Sequence, residues 1–199
     1  HATGLMSDAP WRDRPVLAGE QVTLVPLQPE HAGGLLAAAE DDEVFRWLPV
    51  RRPGDIGQMR ALVAEMLSRD PAQLAWTQTA TATGEITGFT TYYDIDPAQR
   101  TVAIGWTWLG SRFWRTGLNT EAKLLLLGRA FDDLGCVRVV WHTDVNNERS
   151  QAAIARLGAT REGLLRKHKR RPDGSWRDTV LYSMLDSEWP SARERLLRR

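Results

Sequence analysis

The sequence predicts an α/β protein of the α+β kind, in which helices flank a mixed central sheet of about seven strands. Three observations predict this. Residues 101–150 read as an alternating apolar strand, a small-residue turn, an apolar helix, a second strand, a polar turn and a further helix. Two strands of such a unit in one sheet run parallel with a crossover helix, so both turns open at the same end of the sheet. Upstream, β-rich runs at 74–81 and 85–93 flank Ala82-Thr83-Gly84 and, with 101–109, form an antiparallel meander. Downstream, runs at 160–171 and 176–185 flank Pro172-Asp173-Gly174-Ser175, where Asp-Gly marks a hairpin turn.

The remaining elements follow in order. Residues 1–15 are proline-bearing and aperiodic, and read as a disordered or tag-derived segment with Met6-Ser7-Asp8 as the candidate native start; 16–199 read as one domain. Val22-Thr23-Leu24-Val25-Pro26-Leu27 alternates like a strand closed by proline, and Pro29 opens an alanine- and leucine-rich helix to about Glu40. Residues 41–55 are irregular and carry Phe45, Trp47, Leu48, Arg51 and Arg52. Met59, Leu62, Val63, Met66 and Leu67 recur at helical spacing through 56–69. Residues 118–134 form one long helix ended by Gly135, 150–157 a short helix stopped by Gly158, and 186–197 a terminal helix. In the strand 101–109, alternation places Trp106 and Trp108 on one face and Gly105 and Thr107 on the other. Core filling is the default role for Trp76, Trp106, Trp108, Trp141 and Trp176.

The 199 residues are 42% hydrophobic and 26% charged, enough for one buried core. The single cysteine, Cys136, excludes an intramolecular disulfide and a cysteine-based metal cluster; it reads as a buried small hydrophobe, and no metal is expected. No apolar run approaches the ~20 residues of a membrane span and no leader precedes the domain, so the reading is a soluble, cytoplasmic protein with no membrane partner. A net charge of +1 offers no global field to gather nucleic acid, and none is expected as a partner. Charge is uneven, however. In the basic run Arg166-Lys167-His168-Lys169-Arg170-Arg171, alternation puts Arg166, His168 and Arg170 on one face. The run reads either as a solvated arm that discourages edge pairing or as a cationic surface for an anionic substrate or for phosphates.

Backbone N–H groups at a helix start are unpaired and carry partial positive charge, so the turn at 115–120 can hold a phosphate. Gly117 permits close approach or a positive φ, and Thr116 and Thr120 can cap the helix or bond a phosphate oxygen. The alternative is a plain strand-to-helix turn with an N-cap threonine. The order of blocks is more specific. Ile104-Gly105-Trp106, Trp108-Leu109 and then Phe113-Trp114-Arg115-Thr116-Gly117-Leu118-Asn119-Thr120-Glu121-Ala122 resemble the acetyl-CoA-binding segment of the GNAT superfamily of N-acetyltransferases. The resemblance is closest to the ribosomal-protein N-terminal acetyltransferase branch. Asn147-Glu148-Arg149-Ser150, Leu157-Gly158-Ala159, Arg161-Glu162-Gly163-Leu164 and Asp178-Thr179-Val180-Leu181-Tyr182-Ser183-Met184-Leu185 continue it in the same order, over roughly 19–189.

That resemblance implies a GNAT fold, in which the central parallel strands, here 101–109 and 137–143, splay to admit the pantetheine arm of acetyl-CoA or another acyl-CoA as co-substrate. Trp108 and Leu109 would bond the pantetheine through their backbone. Trp114, Arg115, Thr116, Gly117, Leu118, Asn119 and Thr120 would cradle the pyrophosphate, and Asn147 and Ser150 would lie beside the thioester. The implied activity moves an acyl group, acetyl by default, to a primary amine of a protein N-terminus or small molecule by direct attack in a ternary complex. The alternatives are an acyl-CoA-binding sensor and a succinyl-CoA-type transferase. Ser150 is the candidate donor of a proton to the departing thiolate, and Asn147 an orienting residue.

Phe45, Trp47, Arg51 and His168 are candidates for acceptor binding, with core packing as the alternative for the two aromatics. Ala103 and Lys169 stand where the branch often carries glutamate, which leaves His142, His168 and Asp144 as candidates for a general base. Asn119 replaces the usual glycine or alanine and bears on cofactor affinity, while Glu121 reads as structural. Dimers are common in the branch, and the hairpin about Asp173-Gly174 is the candidate contact of a homodimer.

Overall fold

A computed structural model describes residues 8–198. In chain order its elements are β1 (Leu17–Ala18), β2 (Val22–Pro26), α1 (Ala32–Ala38), α2 (Ile56–Ser68), β3 (Leu74–Ala80), β4 (Ile86–Asp96), β5 (Thr101–Leu109), α3 (Leu118–Gly128), β6 (Arg138–Asp144), α4 (Glu148–Arg156), β7 (Thr160–Arg170), β8 (Trp176–Leu185) and α5 (Trp189–Leu197). The strands form one sheet of eight, ordered β1-β2-β3-β4-β5-β6-β8-β7. The strand beyond the expected seven is β1, too short to show a period. Every neighbouring pair is antiparallel except β5 and β6.

Alternation along the strands divides the core in two. Leu24, Trp76, Tyr92, Ile104, Val139 and Val180 pack against α3, α4 and α5 on one face, and Leu27, Ala75, Phe89 and Trp108 against α1 and α2 on the other. Helix α2 shows why its residues fold as they do. The Asp55 carboxylate accepts the Gln58 N–H at 2.8 Å as an N-cap, and Met59, Leu62, Val63 and Met66 form its buried stripe. Helix α3 stops at Gly128 and continues as a π-helical turn, Arg129–Asp133, rather than running unbroken to residue 134.

Two irregularities in the sheet build the site. Pairing of β4 with β5 passes from Phe89↔Trp108 to Thr91↔Gly105, so Trp106 and Thr107 together face Thr90. Trp106 takes φ 50° to make this bulge, and face alternation resets across it. Thr107 consequently turns to α3, where its hydroxyl meets Thr90 and Lys123 at 2.8 and 3.1 Å, while Gly105 stays on the opposite face. The expectation that Gly105 and Thr107 share a face fails for this reason. The second irregularity is that β5 and β6 pair only over Thr101–Ala103 and Arg138–Val140, although both strands run on. From Ile104 and Trp141 onward the two strands part.

The segment expected to be disordered divides in two. Residues 1–7 lie outside the described residues, but Trp11 is buried against the α3 face, Trp76 donates its indole N–H to the Pro15 carbonyl at 2.9 Å, and Arg14 pairs with Asp70 at 3.2 Å. Trp176 also departs from expectation, being 51% exposed beneath the Arg170 guanidinium. Cys136 is buried, and burial pushes its thiol up to about 12. No helix among the described residues is long and apolar enough to cross a membrane.

Candidate active site

Because β5 and β6 are parallel, the turns that follow them open at one end of the sheet, and each starts a helix. After Leu109 the chain turns through Trp114, whose indole N–H donates to the Leu109 carbonyl at 2.7 Å. Arg115 and Gly117 then take φ 64° and 82°. Left-handed residues on either side of Thr116 gather backbone N–H groups into a concavity suited to an anion. Helix α3 begins at the next residue, and no side chain caps it. Its first-turn N–H groups therefore stay available to a ligand. The threonine cap is not made: the Thr116 hydroxyl donates to the Phe113 carbonyl, and Asn119 and Thr120 are exposed. Glu121 is structural, since its Oε1 accepts the N–H groups of Gln21 and Val22 at 2.8 Å each and ties α3 to β2.

The turn after β6 is fixed by Asp144. Both its oxygens accept from Arg171, at 2.8 and 2.9 Å, and Oδ1 also takes the Asn146 N–H at 3.0 Å. Burial pushes this carboxyl up, but the Arg171 hydrogen bonds, the Asn146 N–H and the guanidinium charges outweigh it and hold the group below its ordinary value. Asp144 is thus an anchor and not a base. Three residues on, the Asn147 side chain accepts the Ser150 N–H at 3.1 Å and caps α4. Ser150 is half-buried in the first turn of α4, and no protein group among the described residues hydrogen-bonds its hydroxyl. The two helix starts are joined across the mouth by Arg149, whose guanidinium lies 3.8 Å above the Trp114 ring.

A third group lies on the α1/α2 face. Tyr93 crosses over Gly105, where a Cβ would sit 2.5 Å from its ring, and places its hydroxyl 2.7 Å from Nδ1 of His142. The His142 ring stacks on His168 with centroids 5.7 Å apart. His168 Nδ1 lies 3.0 Å from the Thr179 hydroxyl, which accepts the Arg177 Nε–H at 2.8 Å. A cavity of about 250 Å³ adjoins His142, bordered by Ala103, Val140, Leu181 and Asp94. Burial is the main reason that both imidazoles titrate below the ordinary histidine value; Lys169 and Arg177 add to the shift and Asp94 opposes it. Both rings are therefore neutral at pH 7.

His168 reaches this wall because β7 does not alternate strictly. Residues 166–168 together oppose Asp178, with Lys167 at φ 45° and its N–H on the Asp178 carboxylate at 2.7 Å. Of the other acceptor candidates, Phe45 is 3% exposed and packs on Trp108 at 5.0 Å, so it belongs to the core. Trp108 is also buried, so its side chain does not line the cleft. Trp47 is half-buried under Arg46, and Arg51 is exposed and close enough to Asp173 to help lower its carboxyl, after the Ser175 hydrogen bonds. Sequence reasoning missed Tyr93, Thr179, Arg177 and Arg149. Only strand parity, which puts Arg177, Thr179 and Leu181 on one face of β8, hinted at part of this group.

A parallel strand pair that parts beside an uncapped helix start leaves exposed backbone for an extended ligand and free N–H groups for its phosphates. Residues 21–160 match the family model described as the acetyltransferase (GNAT) domain, and the chain belongs to the GNAT acetyltransferases. It is 28% identical over 174 residues, 85% of this chain and 94% of the relative, to the Bacillus subtilis protein named "Putative ribosomal N-acetyltransferase YdaF". The solved structure of a GCN5-related N-acetyltransferase from Brucella melitensis superposes with TM-score 0.89 at 30% identity, over 94% of this chain and 85% of that one. The microcin C7 self-immunity acetyltransferase MccE, solved with acetyl-CoA and AMP, shares the fold with TM-score 0.73 at 24% identity, over 84% and 93%.

Proposed function

We propose that the chain transfers an acetyl group from acetyl-CoA to a primary amine, of a protein N-terminus or a small molecule, by direct attack in a ternary complex. The observation that carries this is the meeting, at one end of the sheet, of the parted β5 and β6, the uncapped start of α3 and the unpartnered Ser150 hydroxyl. The turn at Trp114, Arg115, Thr116 and Gly117, with the first-turn N–H groups of Leu118, Asn119 and Thr120, suits the pyrophosphate. The free edges of β5 and β6 suit the pantetheine amides as an added strand. Acetyl-CoA supplies the thioester.

The chain's own groups then do three things. Asn147 holds the first turn of α4 so that Ser150 faces the cleft. Ser150 gives its proton to the departing sulfur and takes one from the attacking nitrogen, so that as the C–N bond forms and the C–S bond breaks the proton count closes without a carboxylate. His142 borders the acceptor's approach as a neutral ring, and the amine enters unprotonated, its ammonium proton left with solvent before the attack. The absence of a carboxylate at Ala103 and Lys169, with Asp144 committed to Arg171, favours one other reading, an acyl-CoA sensor that binds without turnover.

Thiol release from acetyl-CoA in the presence of primary amines tests the proposal. Amine-dependent release is expected, and Ser150→Ala is expected to lower kcat by about 10²-fold with little change in acetyl-CoA affinity. Tight acetyl-CoA binding with no transfer to any amine would establish the sensor reading instead.

A further inference from the structure

The wall on the α1/α2 face presents donors. Tyr93 is half-buried on β4, and burial holds its phenol protonated well beyond the ordinary range. The phenol hydroxyl lies 2.7 Å from the His142 Nδ1, and we assign its proton to that bond. The neutral ring then carries its hydrogen on Nε2. The same accounting applies one strand further. Thr179 is fully buried and accepts the Arg177 Nε–H at one lone pair, and its hydroxyl hydrogen is assigned to Nδ1 of His168, 3.0 Å away. His168, too, is left with Nε2–H.

Arg177 is the cation of this wall. Its guanidinium is half-buried and uses only Nε within the protein. The nearby carboxylate that favours its charge, Asp144, is engaged through both oxygens by Arg171, and Arg177 makes no ion pair among the described residues. A half-buried guanidinium without a counter-ion is costly unless a ligand supplies one. Of the other charges near it, Arg171 and Lys169, its cross-strand partner on β7, have the same sign, and Asp94 acts on the two histidines.

We propose that Arg177, together with the Nε2–H groups of His168 and His142, binds a carboxylate of a substrate, beside the gap where β5 and β6 part. The planar fork of an arginine matches a carboxylate in two parallel hydrogen bonds, and neutral imidazole donors extend the cradle without competing charge. The carboxylate belongs either to the acceptor, which is then an amino acid or a peptide with a free C-terminus, or to the acyl chain of the donor, which is then of the succinyl type. The inference rests on the transferase reading given above.

The test offers the full-length protein matched pairs that differ in one carboxylate: alanine and alaninamide, glycylglycine and its amide, and, as donors, succinyl-CoA and acetyl-CoA. Each pair is run with the native chain, Arg177→Gln and Arg177→Lys, and kcat and KM are read separately. The native chain is expected to favour the carboxylate member of one pair by about tenfold or more relative to Arg177→Gln, chiefly through KM. Taking the ratio between variants cancels differences in amine basicity. The uncharged member serves as the reference against which any general loss in Arg177→Gln is divided out, and Arg177→Lys is expected to restore part of the preference. The pair that shows the effect identifies the source of the carboxylate. As a second readout, the His142 and His168 imidazole resonances are expected to move with the preferred carboxylate and not with its uncharged partner. Transfer to amines with no preference in any pair, or a preference untouched by Arg177→Gln, overturns this inference and leaves the transferase reading standing. No transfer to any amine overturns both.

Discussion

The proposed donor mouth and the proposed acceptor wall are neighbours built from different materials. The mouth is made of backbone: two left-handed residues at Arg115 and Gly117, the free first turn of α3, and the unpaired edges of two strands. The wall is made of side chains, Tyr93, His142, His168, Thr179 and Arg177, drawn from four strands and ordered by contacts with one another. Backbone N–H groups recognise what every acyl-CoA has in common, and a change of side chain alters them little. A wall of side chains can change specificity by single substitutions while the sheet persists. The fold thus separates what is fixed in the reaction from what varies.

The largest expected effect comes from the one contact that serves both regions. Arg171 holds Asp144, and Asp144 fixes the turn that carries Asn147 and Ser150, while Arg171 itself closes the hairpin that carries His168. Arg171→Met leaves a buried carboxylate unpaired and is expected to cost about 3 kcal/mol at pH 7. Because the folded carboxyl titrates below its ordinary value of 3.8, the pair's contribution is complete above about pH 4 and is lost as pH falls through the lower folded value. Denaturant melts at pH 7 and pH 3 should therefore show the gap between native and variant closing in acid; an equal gap at both would break the linkage of the two regions through Asp144.

Next is the floor beneath the bulge. Lys123 is buried with a single hydrogen bond, to Thr107, and burial pushes its ammonium down to about 8 from 10.5. Keeping it charged costs about 3 kcal/mol at neutral pH, partly offset by about 1 kcal/mol from the bond. Lys123→Met is expected to stabilise the protein by about 2 kcal/mol at pH 7. The unfolded lysine binds its proton up to 10.5 while the folded one loses it near 8, so native stability rises through that window and the variant's advantage shrinks. Urea melts at pH 7 and pH 10 check the sign. The smallest effect addresses the donor mouth alone. At φ 82°, Gly117→Ala introduces strain of about 1–2 kcal/mol, with a Cβ 3.2 Å from the Gln21 side-chain oxygen. Calorimetry should show acetyl-CoA affinity falling about tenfold while the carboxylate preference proposed for Arg177 persists.

The same division explains what the sequence disclosed. The turn at 115–120 and the hairpin at Asp173-Gly174 are local, so residue types at short spacing announce them, whereas the cap at Asn147 appeared only in the structure. The parting of β5 from β6 entered through family resemblance, since nothing in either strand's apolar pattern shows where pairing stops. The bulge at Trp106 was hidden because a tryptophan at positive φ carries no residue signature, and every face assignment beyond it shifts. The bulge at Lys167 hid His168's partners in the same way. Asp144 read as a candidate base until the structure supplied Arg171, because the sign of a pKa shift depends on partners far away in sequence. Phe45 was legible as core or acceptor surface, and burial decided it.

In the proposed complex acyl-CoA lies between β5 and β6 with its phosphates on the start of α3. Amide hydrogen exchange with and without saturating acetyl-CoA tests it most directly. Slowed exchange is expected in the first turn of α3, in the turn before it and along β5 and β6 beyond their paired residues, with the β7–β8 hairpin unchanged. Saturable binding that leaves those amides unprotected and slows exchange elsewhere would contradict it.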